Sequence, residues 1–193
     1  MAREQPRWSL SGDQLAFVDI SLENNSRQVY VLPMTGGEAR RVSRATNGVD
    51  EFRWTSDGKS FLYTSAESPK QREGEERHNR SFDVADTSYL TRQARTPVHL
   101  WRIPVRDGEA RRLSEGDVRI SDLVVSPDGH SIAFSFDASL APDSGRPDVI
   151  RTLDLASGES RDLVSGMWIN ASTYSPDGRF LAFVRPRQLC ALN

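Results

Sequence analysis

The stretch Tyr174-Ser175-Pro176-Asp177-Gly178-Arg179-Phe180-Leu181-Ala182-Phe183 decides the fold. Its proline presets the backbone angle of the second position in a type I turn, and its aspartate can bond the backbone nearby. Its glycine accepts the left-handed conformation that closes the loop. Leu181 and Phe183 share a parity, so they point to one face of the strand that follows. The stretch therefore predicts a β-hairpin with one buried, apolar face.

The same motif occurs four times, beginning at Trp8, Trp54, Val125 and Tyr174. An apolar residue follows each motif glycine by three positions, and an aromatic residue follows it by five. These aromatic residues are Phe17, Tyr63, Phe134 and Phe183. Aromatic residues make up 8% of the chain, so four of them at one offset do not arise by chance. The motif is therefore an internal repeat.

A second turn lies between successive copies of the first. It reads Gly36-Gly37-Glu38, Asp107-Gly108-Glu109 and Ser157-Gly158-Glu159. From this turn to the next first turn the glycines are 21, 21 and 20 residues apart, whereas the other half of the repeat spans 25, 50 and 29 residues. Each period therefore holds four strands, a to d, and tolerates insertions between b and c. Four short strands in periods of 46 and 49 residues are typical of a β-propeller blade.

We therefore predict an all-β fold within residues 1–184, a partial β-propeller of about three four-stranded antiparallel blades plus the first hairpin of a fourth. The expected blades cover residues 4–43, 50–114 and 121–164, with a half blade at 170–184, an insertion at 66–95 in the second blade and an off-pattern tail at 185–193. Strand alternation places the b–c and d–a loops on one face of the disc and both turns on the other. The insertion therefore extends one face.

Composition excludes several classes of function. The net charge is −2, so no whole-chain field attracts nucleic acid or an anionic membrane. No apolar run approaches the roughly 18 residues that a membrane span needs. Cys190 is the single cysteine, so neither an intrachain disulfide nor a cysteine-based zinc site is possible. The first residues lack the apolar segment of a secretion signal, so we expect a cytoplasmic protein, or a periplasmic one if an upstream signal is missing.

Catalytic residues are not predicted. The chain has no Gly-x-Ser-x-Gly elbow, which a serine hydrolase of the α/β type needs. Its three histidines, His78, His99 and His130, lie respectively in the polar insertion, at the start of a strand and in a turn. None is near a pattern of nucleophile and base. We expect no catalytic, cofactor-binding or metal-binding residue in this chain.

Two acidic groups admit a metal-binding interpretation. Asp57, Asp128 and Asp177 recur with the repeat and could be calcium ligands, although turn chemistry explains them better. Glu73, Glu75 and Glu76 are interleaved with arginines, which favours a solvated, charged loop over a metal site.

Recurring arginines and two glycosylation sequons are also open to two interpretations. The arginine pairs at residues 40–41 and 111–112 follow the second turn, which favours an outer strand over a basic nucleic-acid patch. The tripeptides Asn24-Asn25-Ser26 and Asn170-Ala171-Ser172 match a glycosylation sequon, but no secretion signal accompanies them.

The repeat resembles a known family. The motif at residues 174–183 and the turn Gly36-Gly37-Glu38-Ala39-Arg40-Arg41 look like the propeller repeat of TolB and of the prolyl oligopeptidase family. The charged insertion, followed by a strand at residues 98–105, is most similar to the acylaminoacyl-peptidase or dipeptidyl-aminopeptidase-like branch. The resemblance implies a many-bladed propeller that covers an α/β-hydrolase domain and admits only short peptides.

Three hypotheses follow from this resemblance. The first is a non-catalytic propeller segment that gates or selects peptides for an α/β-hydrolase domain absent from this sequence. Its partners would be that domain and the missing blades. The second is a TolB-like protein–protein interaction module. The third is a degenerate fragment without independent function, since propellers typically close with four to eight blades.

Overall fold

A computed structural model describes residues 3–68, 95–106, 108–137, 148–166, 169–185 and 188–192. These residues form antiparallel sheets and turns without a helix, which confirms the predicted all-β class. In particular, the described part of the chain has no helix long and apolar enough to cross a membrane. Most of the predicted insertion, residues 69–94, lies outside the described residues, as do residues 138–147.

The strands follow the predicted repeat. The first blade contains β1 (Glu4–Trp8), β2 (Gln14–Ile20), β3 (Arg27–Pro33) and β4 (Arg40–Arg41). The second contains β5 (Phe52–Trp54), β6 (Ser60–Ala66), β7 (Val98–Pro104) and β8 (Arg111–Arg112). The third contains β9 (Arg119–Val125), β10 (Ser131–Asp137), β11 (Asp148–Asp154) and β12 (Ser160–Gly166). Strands adjacent in each blade pair antiparallel, and one parallel bridge from Val98 to Arg119 connects the second blade to the third.

The last sheet has a third strand where the sequence predicted a hairpin alone. It contains β13 (Asn170–Tyr174), β14 (Leu181–Arg185) and β15 (Gln188–Leu192). Cys190 pairs with Phe183, as Trp101 pairs with Tyr63 in the second blade. Residues 188–192, expected to leave the repeat, therefore continue it as a c strand. Their sequence is mostly apolar, and pairing with β14 covers an edge that would otherwise be open.

Alternate residues of each b strand pack against the two neighbouring blades. Phe61 and Tyr63 lie in an apolar cluster shared with the first blade, whereas Leu62 lies in a cluster shared with the third. Ile132 and Phe134, the equivalent pair in the third blade, face back toward the second. The predicted apolar face is therefore the face that each blade turns to the preceding one. Full burial of such side chains stabilises the fold by about 1.5–3 kcal/mol each.

The first turns of neighbouring blades touch one another. Gly129 has a φ of 72°, and a Cβ atom built on it would overlap the Oγ atom of Ser56 in the preceding blade. Pro127 in turn approaches Gly178 of the next repeat. This packing brings the a strands, which lead into these turns, side by side.

Candidate functional site on the innermost strands

The a strands of successive blades contact each other directly. The indole Nε1 of Trp54 in β5 donates a hydrogen bond to the backbone oxygen of Arg7 in β1, at 3.1 Å. The backbone nitrogen of Leu123 in β9 donates to Oε1 of Glu51, which directly precedes β5, at 3.3 Å. These strands are therefore the innermost ones, which line the central channel of a propeller.

Strands β1, β9 and β13 each have a β-bulge just before the first motif of their repeat. Gln5 and Asp122 have positive φ values of 53° and 54°, a conformation that non-glycine residues adopt rarely. Glu51 occupies the same repeat position in the second blade. The side chain of Gln5 donates to the backbone oxygen of Asp50 at 2.7 Å, as Glu51 accepts from the third blade. The residue at the bulge position thus connects one innermost strand to the next.

Two arginines accompany these residues, so that charges of both signs lie together. We call the group the axial cluster; its members are Gln5, Arg7, Glu51, Arg53 and Asp122. Nη2 of Arg53 lies 3.3 Å from Oε2 of Glu51. The Nε atom of Arg7 is buried without a hydrogen-bond partner among the described residues.

Burial dominates the titration of this cluster. It raises the pKa of Glu51, and the neighbouring Arg53 guanidinium only partly offsets that effect. Burial also lowers the pKa of Arg53, with repulsion from Arg7 as the next largest cause. Carboxylates and guanidiniums held in this way can bind the termini and peptide groups of an extended chain. The five side chains carry no hydroxyl or thiol nucleophile.

The axial cluster was not among the sites predicted from the sequence. A signal was present, since Gln5, Glu51 and Asp122 all stand three residues before the first motif residue. A polar residue repeated inside a short apolar strand indicates a bulge or a channel wall, because the buried faces of the strand admit few such residues.

His99, one of the three histidines, lies within a polar network at the base of the insertion. Its ring is fully buried, with Nε2 2.9 Å from Oε1 of Glu67 and Nδ1 3.0 Å from Oγ of Ser114. Arg112 binds the same Glu67 oxygen at 2.8 Å. Burial lowers the pKa of His99, with repulsion from Arg112 as the next cause, although Glu67 acts in the opposite direction.

Glu67, His99 and Ser114 contact one another in the order acid, histidine, serine, as in a catalytic triad. The equivalent residues of the first blade show that this network has a structural role. There Gln28 occupies the position of His99, and its Oε1 accepts from Oγ of Ser43 at 2.7 Å. The Oγ atoms of Ser43 and Ser114 also accept hydrogen bonds from backbone nitrogens of the facing c strands. The donors are Val29, at 2.8 Å, and Leu100, at 3.1 Å. In both blades the serine and its partner, Gln28 or His99, therefore connect strand c to the segment that follows strand d. The ring of His99 is buried and is not accessible to a substrate.

The repeated aspartates form the turns, as their interpretation from sequence proposed. The hydroxyl of Thr55 donates to Oδ1 of Asp57 at 2.6 Å, and Ser126 and Ser175 do the same for Asp128 and Asp177. These hydroxyl hydrogen bonds lower the pKa of all three carboxyls. The described residues contain no group of three or more histidine, cysteine, aspartate or glutamate side chains placed to hold a metal ion.

The remaining sequence candidates are in structural positions or outside the described residues. Arg40 and Arg41 form the outer strand β4, and Arg40 donates to the backbone oxygen of Val105 in the second blade at 2.6 Å. The other arginine pair forms β8. His130 follows the third turn, where its backbone nitrogen donates to Asp128. His78 and the glutamates at residues 73, 75 and 76 lie outside the described residues.

The strand order and the contacts between the innermost strands are those of a β-propeller segment. Solved propeller structures match the same fold. TolB from Acinetobacter baumannii matches with a TM-score of 0.62 and 18% identity, over 96% of this chain and 38% of that chain. Acylaminoacyl peptidase from Pyrococcus horikoshii matches with a TM-score of 0.59 and 19% identity, over 94% of this chain and 28% of that chain. No protein-family model matches the chain.

Two curated bacterial proteins are similar in sequence. The chain is 33% identical over 153 residues to the uncharacterized peptidase YuxL of Bacillus subtilis, covering 74% of this chain and 23% of that protein. It is 26% identical over 208 aligned positions to dipeptidyl-peptidase 5 of Porphyromonas endodontalis, covering 92% of this chain and 29% of that protein. The chain thus spans about a quarter of the length of these relatives. Its fold is that of a β-propeller such as TolB, and its sequence is similar to those of two peptidases, in agreement with the resemblance inferred from its sequence.

Proposed function

We propose that this chain is the non-catalytic propeller segment of a serine peptidase similar to prolyl oligopeptidase, and that it selects peptides for an α/β-hydrolase domain. The observation that carries the proposal is the axial cluster, where neighbouring innermost strands hold half-buried charges of both signs close together. The peptidase names of the two curated relatives support the same class of parent protein.

Selection would depend on the width and charge of the channel wall. Gln5 and Glu51 are each bonded to the backbone of the next blade, so their side chains hold the innermost strands together. A peptide that passes along this wall exchanges water for contacts with Arg7 and Glu51. A short, extended peptide can make these contacts, whereas a folded or bulky one meets a wall that opens only if inter-blade hydrogen bonds break.

Further blades would complete the channel. Trp54 packs on Phe61 with ring centroids 4.3 Å apart and bonds the innermost strand of the first blade. Trp8, its equivalent in the first blade, is 59% exposed. We infer that a blade of the same repeat covers Trp8 in the whole protein and accepts its indole N–H on an innermost strand.

The test compares peptide lengths in the whole protein that carries this segment. Glu51→Ala combined with Arg53→Ala removes the ion pair from the wall and widens it. We expect kcat/KM for long peptides to rise relative to that for short ones, with hydrolysis of a short chromogenic peptide nearly unchanged. Arg111→Ala, at an exposed arginine of the outer strand, is the matched control. An unchanged length profile in a folded double variant would contradict selection by this wall.

A TolB-like interaction module is the second candidate, because the structural match to TolB covers 96% of the chain. It predicts that the whole protein hydrolyses no peptide and is recovered from cells in a stable protein complex. Peptide hydrolysis by the whole protein excludes this candidate.

A further inference from the structure

A cleft of about 350 Å³ lies between the second and third blades. Its floor is apolar, and its rim is polar. The residues of the floor include Leu100, Ile120, Phe134 and Leu153, and those of the rim include Ser114, Glu115, Arg151 and Ser160. This volume is at the lower end of the range for small-ligand sites.

Comparison of the repeats explains the cleft. In the first blade Phe17 pairs with Tyr30, and their stacked rings are 5.9 Å apart. In the second blade Tyr63 pairs with Trp101, with stacked rings 6.4 Å apart. The Trp101 ring packs into the cluster between the first and second blades. In the second blade the outer aromatic ring is therefore part of the wall that faces the first blade. The same register position holds Tyr30 in the first blade, Arg151 in the third and Cys190 in the last sheet.

The third blade lacks that ring. Phe134 pairs there with Arg151, whose guanidinium lies 4.3 Å from the ring centroid of Phe136 and forms an ion pair with Asp162. The facing wall is also more open, since Leu113 is only partly buried, whereas its equivalent Val42 in the first blade is 8% exposed. The space that an indole fills in the second blade is left unfilled in the third.

We propose that this cleft binds the aromatic side chain of a peptide, of the tryptophan or phenylalanine class. A ring entering from the rim would stack on Phe134 as Trp101 stacks on Tyr63, and the Arg151 guanidinium would lie near its face or edge. Apolar floors of this kind bind rings because few water contacts are lost and many dispersion contacts are gained. The site is separate from the axial cluster and does not depend on the channel function.

The test uses the 193-residue chain and N-acetyl-tryptophanamide as the probe, with N-acetyl-alaninamide as the probe without a ring. Ligand-observed NMR and calorimetry should show saturable binding of the aromatic probe alone. Arg151→Trp places the ring of the second blade into the cleft, and we expect it to weaken probe binding by about tenfold or more, since each tenfold is about 1.4 kcal/mol. Arg161→Trp is the control, because it adds the same ring at an exposed position one residue from the cleft lining.

A second measurement covers the case in which Arg151→Trp does not fold. Methyl resonances of Leu113 and Leu153 in the wild-type chain should shift with the aromatic probe, whereas those of the exposed Leu22 should not. Equal binding by the wild type and a folded Arg151→Trp variant would overturn the proposal. So would an absence of shifts at both cleft leucines, or equal affinity for the two probes.

Discussion

The indole of Trp54 and the backbone oxygen of Arg7 join the first two blades through a 3.1 Å hydrogen bond. This bond joins two innermost strands that are 47 residues apart in the chain. The ring of Trp54 also packs on Phe61, so one side chain contributes both a polar and an apolar contact to the interface. Blade-to-blade contacts of this kind hold together sheets that share few backbone hydrogen bonds.

We expect Trp54→Phe to lower the free energy of unfolding by about 1–2 kcal/mol, because it removes one hydrogen bond and part of the buried ring. Trp54→Ala should cost about 3 kcal/mol or more, since it also leaves a cavity. Urea unfolding followed by circular dichroism measures both. Trp8→Ala, at the exposed equivalent position, should change the free energy of unfolding of the isolated chain by less than about 0.5 kcal/mol. Similar losses at both tryptophans would contradict this account of the interface.

Gly129 is constrained by the neighbouring blade, and Gly58 is not. Both have positive φ values, 72° and 64°, but a Cβ atom on Gly58 would meet nothing within 4 Å. Gly58→Ala should therefore cost about 1 kcal/mol from the left-handed conformation alone. Gly129→Ala should cost a further ~1–3 kcal/mol from overlap with Ser56. Thermal unfolding checks this, and Ser56→Gly in the same chain should recover part of the additional loss.

His99 is expected to tolerate glutamine but not leucine. Gln28 fills the same position in the first blade, so His99→Gln should change stability by less than about 1 kcal/mol. His99→Leu leaves Ser114 and Glu67 without this partner, at a cost of about 1–3 kcal/mol. His130→Leu, at an exposed turn, is the control. Leucine and glutamine variants of equal stability would show that the polar network is unimportant.

The buried ring of His99 should make the stability of the chain depend on pH. Burial keeps the folded pKa of His99 below its ordinary value of 6.5, so the unfolded chain binds the proton more strongly. The stability associated with the neutral ring is therefore present above pH 6.5 and declines as the pH falls toward the folded pKa. Glu67, Arg112 and Asp117 face this ring, and their charges modulate the decline. The His99→Gln variant should lack this part of the pH profile, as measured by urea midpoints between pH 7 and 5.

Local features of the fold were predictable from sequence because they depend on local chemistry. The turn motif and the parity of Phe61 and Tyr63 need only a short stretch of chain, and the structure has both as expected. The aspartate-to-hydroxyl hydrogen bonds of the turns follow from the same residues. The all-β class followed from the repetition of these features.

Contacts between blades were not predictable in this way. The bulges at Gln5 and Asp122 carry positive φ values that no local sequence rule assigns to glutamine or aspartate in a strand. The cleft arises because Arg151 occupies the register position that Tyr30 and Trp101 hold in the first two blades, and the b–c loop before it varies in length between repeats, so that local sequence does not assign this register. The strand β15 formed because β14 offers an edge to an apolar segment that lacks the turn motif.

Asp57 should contribute stability that is lost in acid. The Thr55 hydroxyl and the backbone nitrogen of Lys59 favour its ionised form and lower its pKa below the ordinary 3.8. That contribution is present above pH 3.8 and is lost as the pH falls through the folded pKa. Asp57→Asn should therefore be less stable than the wild type near pH 7, with a difference that shrinks toward pH 3. A difference that stays constant over this range, in urea midpoints, would contradict the role assigned to the carboxylate.

The most direct test of the central claim labels the nucleophile. A fluorophosphonate probe is applied to the whole protein and to the isolated 193-residue chain, and the modified serine is located by mass spectrometry beside a peptide-hydrolysis assay. We predict that the whole protein hydrolyses peptides and is labelled on a serine outside residues 1–193, while the isolated chain is neither active nor labelled. Labelling of Ser114, together with peptide turnover by the isolated chain, would contradict a non-catalytic propeller segment.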